Sequence, residues 1–290
     1  MQFRWRHAPV VVAALFFAVA GVFASGTTYA QTKKEFEPVV GQEGKDVIWV
    51  PTPQALVERM LQMAKVTPSD YVIDLGSGDG RTVITAAKKF GVRALGIEYN
   101  PDMVELSKRN AEKEGVAGRA EFMKADIFST DFSKATVITM YLLPQLNLKL
   151  RPILLNMKPG TRLVSHAFSM DDWQPDQIES VESRTAYLWI VPAKVEGTWQ
   201  WSGSRNYEIT LRQHFQQVEG LAKIDNKTAQ FRNGKLQGDQ LTFSLIEISG
   251  LNNTVQRDFV GRVTGNTIKG VIKLPNNAGE EKWTATRANH

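Results

Sequence analysis

Residues 74–80 read Asp-Leu-Gly-Ser-Gly-Asp-Gly, directly after the apolar run Tyr71, Val72 and Ile73, and Glu98 closes the next apolar run. Glycines at a strand end let the backbone approach a ligand where a Cβ would collide. A helix starting at Arg81 points its free N–H groups at the same place, and a carboxylate at the neighbouring strand end can accept two ribose hydroxyls. That combination is the chemistry of a nucleotide-type site. A dinucleotide fingerprint is excluded, because its third glycine falls three residues after the second, where this chain has Arg81. With no cysteine and only 4 scattered histidines, the chain offers no thiol nucleophile, no disulfide framework and no metal-ligand spacing.

The elements that must hold these residues follow from hydrophobic periodicity. An amphipathic helix over 54–65 buries Leu56, Val57, Met60, Leu61 and Met63, with Thr52 as its cap and Pro53 in its first turn. Strands then alternate with helices: strand 71–74, helix 81–90, strand 93–98, helix 101–114, strands 120–124 and 136–141, helix 145–157 and strand 162–167. Such alternation predicts an α/β fold, a parallel sheet with helices on both faces and ligands at the carboxyl ends of the strands. Asp74, Glu98, Asp126 and Tyr141 all fall at those ends. Asp126 also reads as a turn cap, Tyr141 as a core aromatic, His166 as a structural histidine ahead of a general base, and Trp173 as packing.

The pattern Asp74, Gly76, Gly78, Gly80 resembles motif I of the Rossmann-like seven-strand methyltransferases that use S-adenosylmethionine. Further residues narrow the likeness: Val50-Pro51-Thr52-Pro53, Gly96-Ile97-Glu98-Tyr99-Asn100-Pro101, Tyr141-Leu142-Leu143-Pro144, and Trp173-Gln174-Pro175. Together they resemble the protein-lysine methyltransferase family whose mitochondrial members modify the adenine nucleotide translocase and the ATP synthase c-ring protein. The resemblance implies S-adenosylmethionine as cofactor, held by Asp74, Gly76, Ser77, Gly78, Gly80, Glu98 and Asp126. It places Tyr141 and Pro144 at the acceptor slot, with Trp49, Pro51 and Pro53 covering the channel. It implies a direct SN2 transfer to a protein lysine, against the alternatives of a small-molecule acceptor or a non-catalytic binding protein.

Beyond residue 197 the character changes to short alternating runs separated by Asn-Gly, Gly-Asp, Gly-Asn and Asn-Asn turns. Eight such runs predict a small antiparallel barrel or sandwich. Gly197-Thr198-Trp199 and Arg287 resemble the Gly-x-Trp and closing arginine of lipocalin-type barrels, which implies arginine packed over tryptophan. At the other end, Arg4 and Arg6 precede an apolar stretch over 8–24, which reads as a signal peptide or membrane anchor over 1–30. Residues 31–46 read as a tether, 47–193 as the methyltransferase domain and 197–290 as the barrel-like domain. These readings predict an exported, periplasmic or membrane-anchored protein with its domains outside the cytoplasm, although the cofactor is made inside it. Without Arg4 and Arg6, 33 of the 35 basic residues remain against 30 acidic ones, a balance that argues against nucleic acid as partner.

Overall fold

Alternating strands and helices in residues 71–166 build a parallel sheet because the strands at 71–75, 137–140 and 162–166 are buried on both faces and the helices cover them. The computed structural model describes residues 1–2, 35–249, 253–274 and 279–288, so the expected signal or anchor segment lies outside the described residues apart from its first two. The sheet contains β1 (Tyr71–Leu75), β2 (Arg93–Glu98), β3 (Ala120–Lys124), β4 (Val137–Met140), β5 (Arg162–His166), β6 (Gln177–Val181) and β7 (Arg184–Ile190). Their order is β3-β2-β1-β4-β5-β7-β6, parallel throughout except for β7, which runs antiparallel to both neighbours. Strand order reverses between β1 and its two partners β2 and β4, and a crevice opens at the carboxyl ends of such a switch point.

Four helices cover the sheet: α1 (Gln54–Met63), α2 (Arg81–Phe90), α3 (Pro101–Lys113) and α4 (Pro144–Leu154). Val72 packs with Leu56, Val57, Met60, Val83 and Val104 on one face, whereas Ile73 and Leu75 pack with Leu150, Leu154, Trp173 and Trp189 on the other. The sheet is thus mixed rather than parallel, because the chain returns through the β6–β7 hairpin. That hairpin turns on Glu182 (φ 49°) and Ser183 (φ 62°), both left-handed.

The carboxyl-terminal strands are β8 (Gly197–Ser202), β9 (Asn206–His214), β10 (Gln217–Ile224), β11 (Lys227–Gln237), β12 (Gln240–Ser249), β13 (Asn253–Thr264), β14 (Thr267–Lys273) and β15 (Glu280–Arg287). They pair antiparallel in sequence order and close into a barrel where Arg287 of β15 meets Trp199 of β8. Strict alternation drives closure: Tyr207, Ile209 and Leu211 of β9 point inward while their neighbours face out. Trp201, Tyr207, Phe243, Phe259 and Trp283 fill the interior, with Trp201 stacked on Tyr207 at 4.8 Å and Phe243 on Phe259 at 4.6 Å. The Arg287 guanidinium sits 4.4 Å from the Trp199 ring and donates to the carbonyls of Lys194 and Glu196, the packing implied by the lipocalin likeness.

The barrel is seated on the α/β part by half-buried polar contacts. Gln213 of β9 donates to the Ala193 carbonyl at 2.8 Å and accepts from Val195 N at 2.7 Å, and Ala193 N donates to the Gly238 carbonyl at 2.8 Å. Phe259 touches four other rings of the barrel core and is 1% exposed. Phe259→Ala is expected to destabilise the barrel by about 3–5 kcal/mol through the cavity it leaves, read as a lowered urea midpoint of the tryptophan fluorescence transition.

Candidate functional site

Three glycines shape the loop between β1 and α2, all left-handed: Gly76 (φ 78°), Gly78 (φ 55°) and Gly80 (φ 82°). The N–H groups of Gly76 and Ser77 both donate to the Ile97 carbonyl of β2, at 2.9 and 3.1 Å. Helix α3 holds the loop from behind: Ser107 Oγ donates to the Gly78 carbonyl and Asn110 Nδ2 to that of Asp79. Glu98, at the end of β2, accepts from Gly78 N through one carboxylate oxygen and from Asn100 N through the other, each at 2.9 Å. A Cβ on Gly78 would lie 2.7 Å from Trp49 Nε1, so the absence of a side chain lets the indole rest on the loop.

A cavity of about 320 Å³ opens here, within the range of small-molecule sites. Asp74, Gly76, Ser77, Gly78, Glu98, Asp126, Tyr141, Trp49 and Pro51 all line it. Three other candidates lie outside its lining. Gly80 caps α2, and a Cβ there would meet Phe122 at 2.7 Å, so this glycine serves helix–strand packing. Pro53 caps α1, and Pro144 occupies the first turn of α4. Thr52 does not cap α1; its hydroxyl pairs with His166 Nδ1 at 3.0 Å, and its carbonyl accepts from Arg81 at 2.9 Å.

Residues 42–46 of the segment read as a tether are part of this wall. Gly41 N donates to the Trp49 carbonyl, Trp49 N to Gln42 and Gly44 N to Val47, each at 2.9 Å, making a hairpin whose residues from Gln42 onward line the cavity. Lys45 on that hairpin pairs with Asp126 at 2.6 Å and lies 4.6 Å from the centre of the Tyr99 ring. This hydrogen bond, followed by one from Phe128 N, holds the Asp126 carboxyl below the usual carboxylate range. Asp126 therefore both caps its turn and faces the cavity. Sequence reasoning gave no side-chain role to Lys45, Arg81 or Phe168, which line the cavity too; Arg81 had a signal in its position directly after motif I and Phe168 in the family resemblance, whereas Lys45 had none.

Asp74 is the most perturbed group in the site. Burial pushes its carboxyl up to about 7, against hydrogen bonds from Thr139 (2.6 Å) and Thr82. Ser77 Oγ is buried in the same lining with no partner among the described residues. A buried acid short of a cation, an orphan hydroxyl and the Glu98 carboxylate suit a ligand with an ammonium group at one end and a ribose at the other. S-Adenosylmethionine has both, so the residues fit the cofactor. Just past β4, the Tyr141 ring lies tilted against His166 with centroids 3.8 Å apart and stacks on Phe168 at 6.1 Å. Burial lowers the His166 pKa to about 4, and Arg184 adds to this, so the imidazole is neutral at pH 7 and a weak base.

The raised Asp74 pKa has a stability consequence. Between its unfolded value, near 3.8, and about 7, the folded state keeps a proton that the unfolded chain has released. Stability contributed this way is present at low pH and lost as pH rises through the folded value. The wild-type protein should therefore lose up to about 2.5 kcal/mol more than Asp74→Asn between pH 5 and pH 8, measured by urea denaturation at each pH. Equal losses would place the folded Asp74 pKa at its ordinary value.

Comparison with known proteins finds methyltransferases over the α/β part. The model of the ANTKMT methyltransferase domain matches residues 74–177. A protein-lysine N-methyltransferase of Saccharolobus islandicus is 47% identical over 151 residues, which span 50% of this chain and 94% of that protein. A lysine N-methyltransferase of Homo sapiens that acts on the ATP synthase c-ring protein is 34% identical over 142 residues, 48% of this chain and 60% of that protein's length. Among solved structures, an RNA methyltransferase of Salinibacter ruber in complex with S-adenosyl-L-homocysteine is 50% identical, covering 50% of this chain and 96% of that one with a TM-score of 0.49. With 94% of the Saccharolobus islandicus relative covered at 47% identity and the ANTKMT domain matched, this chain belongs to the ANTKMT family of S-adenosylmethionine-dependent methyltransferases.

Proposed function

We propose that this enzyme methylates lysine side chains of a protein, by direct displacement at the methyl group. The carrying observation is the acceptor side of the cavity, walled by Tyr141, Leu142, Leu143 and Phe168 with no competent base among them. Bound S-adenosylmethionine supplies a methyl already activated by its sulfonium. What remains for the protein is to align an amine and deliver it uncharged. A lysine amine has a free pKa of about 10.4, and an apolar, aromatic wall disfavours its charged form and so promotes proton loss to water before transfer. The names of the archaeal and human relatives, both lysine N-methyltransferases, support the same acceptor.

In this reading Glu98 takes the ribose hydroxyls while keeping the Gly78 and Asn100 N–H groups, and Asp74 with Ser77 faces the methionine end. Asp126 takes the adenine amino group once Lys45 releases it. Trp49 and Pro51 cover the channel, and Tyr141 borders the amine. Export directed by the apolar leader would put the acceptor in the cell envelope.

Incubation of residues 31–290 with methyl-labelled S-adenosylmethionine and separate soluble and membrane fractions of the source cell should label a protein band on a gel. Label confined to RNA or small molecules would reject the lysine reading. Glu98→Ala should weaken cofactor binding by about 2 kcal/mol in calorimetry, the scale of hydrogen bonds to a charged group. It should also abolish the labelled band at low cofactor concentration. For the wild type, log(kcat/KM) should climb with pH from 6 to 9 as the acceptor amine deprotonates. His166→Asn should leave the shape of that profile unchanged.

A further inference from the structure

Between Ala167 and Pro175 one loop runs from the acceptor wall to the barrel. At its near end Phe168 lines the cavity beside Tyr141. At its far end Trp173 is fully buried, and its indole N–H donates to Gln216 Oε1 at 3.0 Å. Gln216 lies between β9 and β10 of the barrel, is 7% exposed, and returns a second hydrogen bond from its Nε2 to the Gln174 carbonyl at 2.7 Å. Its backbone carbonyl accepts from Leu236 N at 2.8 Å, which ties it to β11. Phe215 beside it stacks on Trp173 at 5.6 Å and carries the Arg151 guanidinium 5.5 Å from its ring centre.

The loop needs this support because its backbone is not in its relaxed form. Ala167 (φ 64°) and Asp171 (φ 59°) are left-handed without being glycine, as is Phe215 (φ 53°) on the barrel side. Such residues persist where their surroundings over-determine them. From the α/β part, Asn147 Nδ2 donates to the Phe168 and Ser169 carbonyls and Arg151 to that of Met170. The remaining end is held by Gln216 alone among side chains of the barrel that hydrogen-bond to the described loop.

We propose that Gln216 is a positioning residue for methyl transfer: the barrel's glutamine sets the 167–175 loop and, through it, the Phe168 wall against which the acceptor amine is aligned. This rests on the reading of Tyr141 and Phe168 as the acceptor side. It gives the barrel a part in the reaction without a ligand of its own. Alignment of the acceptor is where a displacement of the wall by a fraction of an ångström is felt, whereas Asp74, Glu98 and the glycine loop stand on other elements.

The test uses the full α/β-plus-barrel protein and compares Gln216→Met with Gln213→Met. Both remove the polar links of a barrel glutamine, but Gln213, which is half-buried, links residues 193, 195 and the Phe215 carbonyl and makes no hydrogen bond to the 167–175 loop. Gln216→Met should lower kcat/KM for the lysine acceptor about tenfold, the scale of losing a hydrogen-bonded link, with the affinity for S-adenosylhomocysteine within twofold of wild type. Gln213→Met should lower the melting temperature comparably and leave kcat/KM for the acceptor near wild type. In hydrogen exchange, Gln216→Met should speed exchange of the Phe168 and Trp173 amides about tenfold or more, and Gln213→Met should not. Equal kinetic losses in the two variants, or unchanged protection of 167–173 in Gln216→Met, would overturn the proposal. If the wild type labels no lysine at all, the functional reading fails, and the exchange comparison alone then decides whether Gln216 sets the loop.

Discussion

Everything at this site depends on a left-handed backbone turn being locked to the neighbouring strand. Gly76 and Gly78 take conformations that a side chain would strain, and the turn is then pinned by Ile97 O and by the Glu98 carboxylate. One acid thereby fixes two things at once, the loop through Gly78 N and the start of α3 through Asn100 N. The same carboxylate faces the cavity. Its two oxygens keep lone pairs beyond those used by the backbone, so the group that organises the loop remains able to accept from a ligand.

Around that turn, one accessory part lines the cavity directly and another contacts only the loop that ends at its Phe168 wall. The 41–49 hairpin lays Trp49 on Gly78 and Lys45 on Asp126. The second of these contacts is exposed at both partners, with side chains 35% and 30% accessible, and exposed pairs contribute little. Under the proposed function, a weak ion pair suits a segment whose Asp126 partner would be released to the adenine. The barrel side is held differently, by the buried Gln216 and stacked rings, and such contacts fix a surface in place. The hairpin is thus a replaceable cover and the barrel a fixed buttress.

The sequence made the glycine loop legible because its signals are local. The strand before, the helix after and the acid at the next strand end all lie on one short stretch, and the backbone needs that spacing wherever it occurs. The eight barrel strands were legible too, since inward residues such as Tyr207, Ile209 and Leu211 alternate with polar ones. The hairpin over 41–49 was not. Its Gly-containing, charged sequence matches a linker, and its order comes from tertiary contacts of Trp49 and Lys45 that no local pattern announces. The β6–β7 hairpin escaped for a related reason, because Glu182-Ser183 lacks the asparagine or glycine that ordinarily marks a left-handed turn. Gly80 and Pro144 sit where the motifs put them, but as packing and helix-start residues outside the cavity lining.

The central claim is that the atom methylated is a lysine Nζ. The direct measurement is to react the wild-type protein with S-adenosylmethionine and envelope proteins of the source cell, digest them, and locate the added methyl groups by tandem mass spectrometry. Methyl groups on lysine side chains, absent from the same reaction with Glu98→Ala, are the predicted result. Methylation confined to carboxylates, histidines, nucleic acid or small molecules would contradict the account.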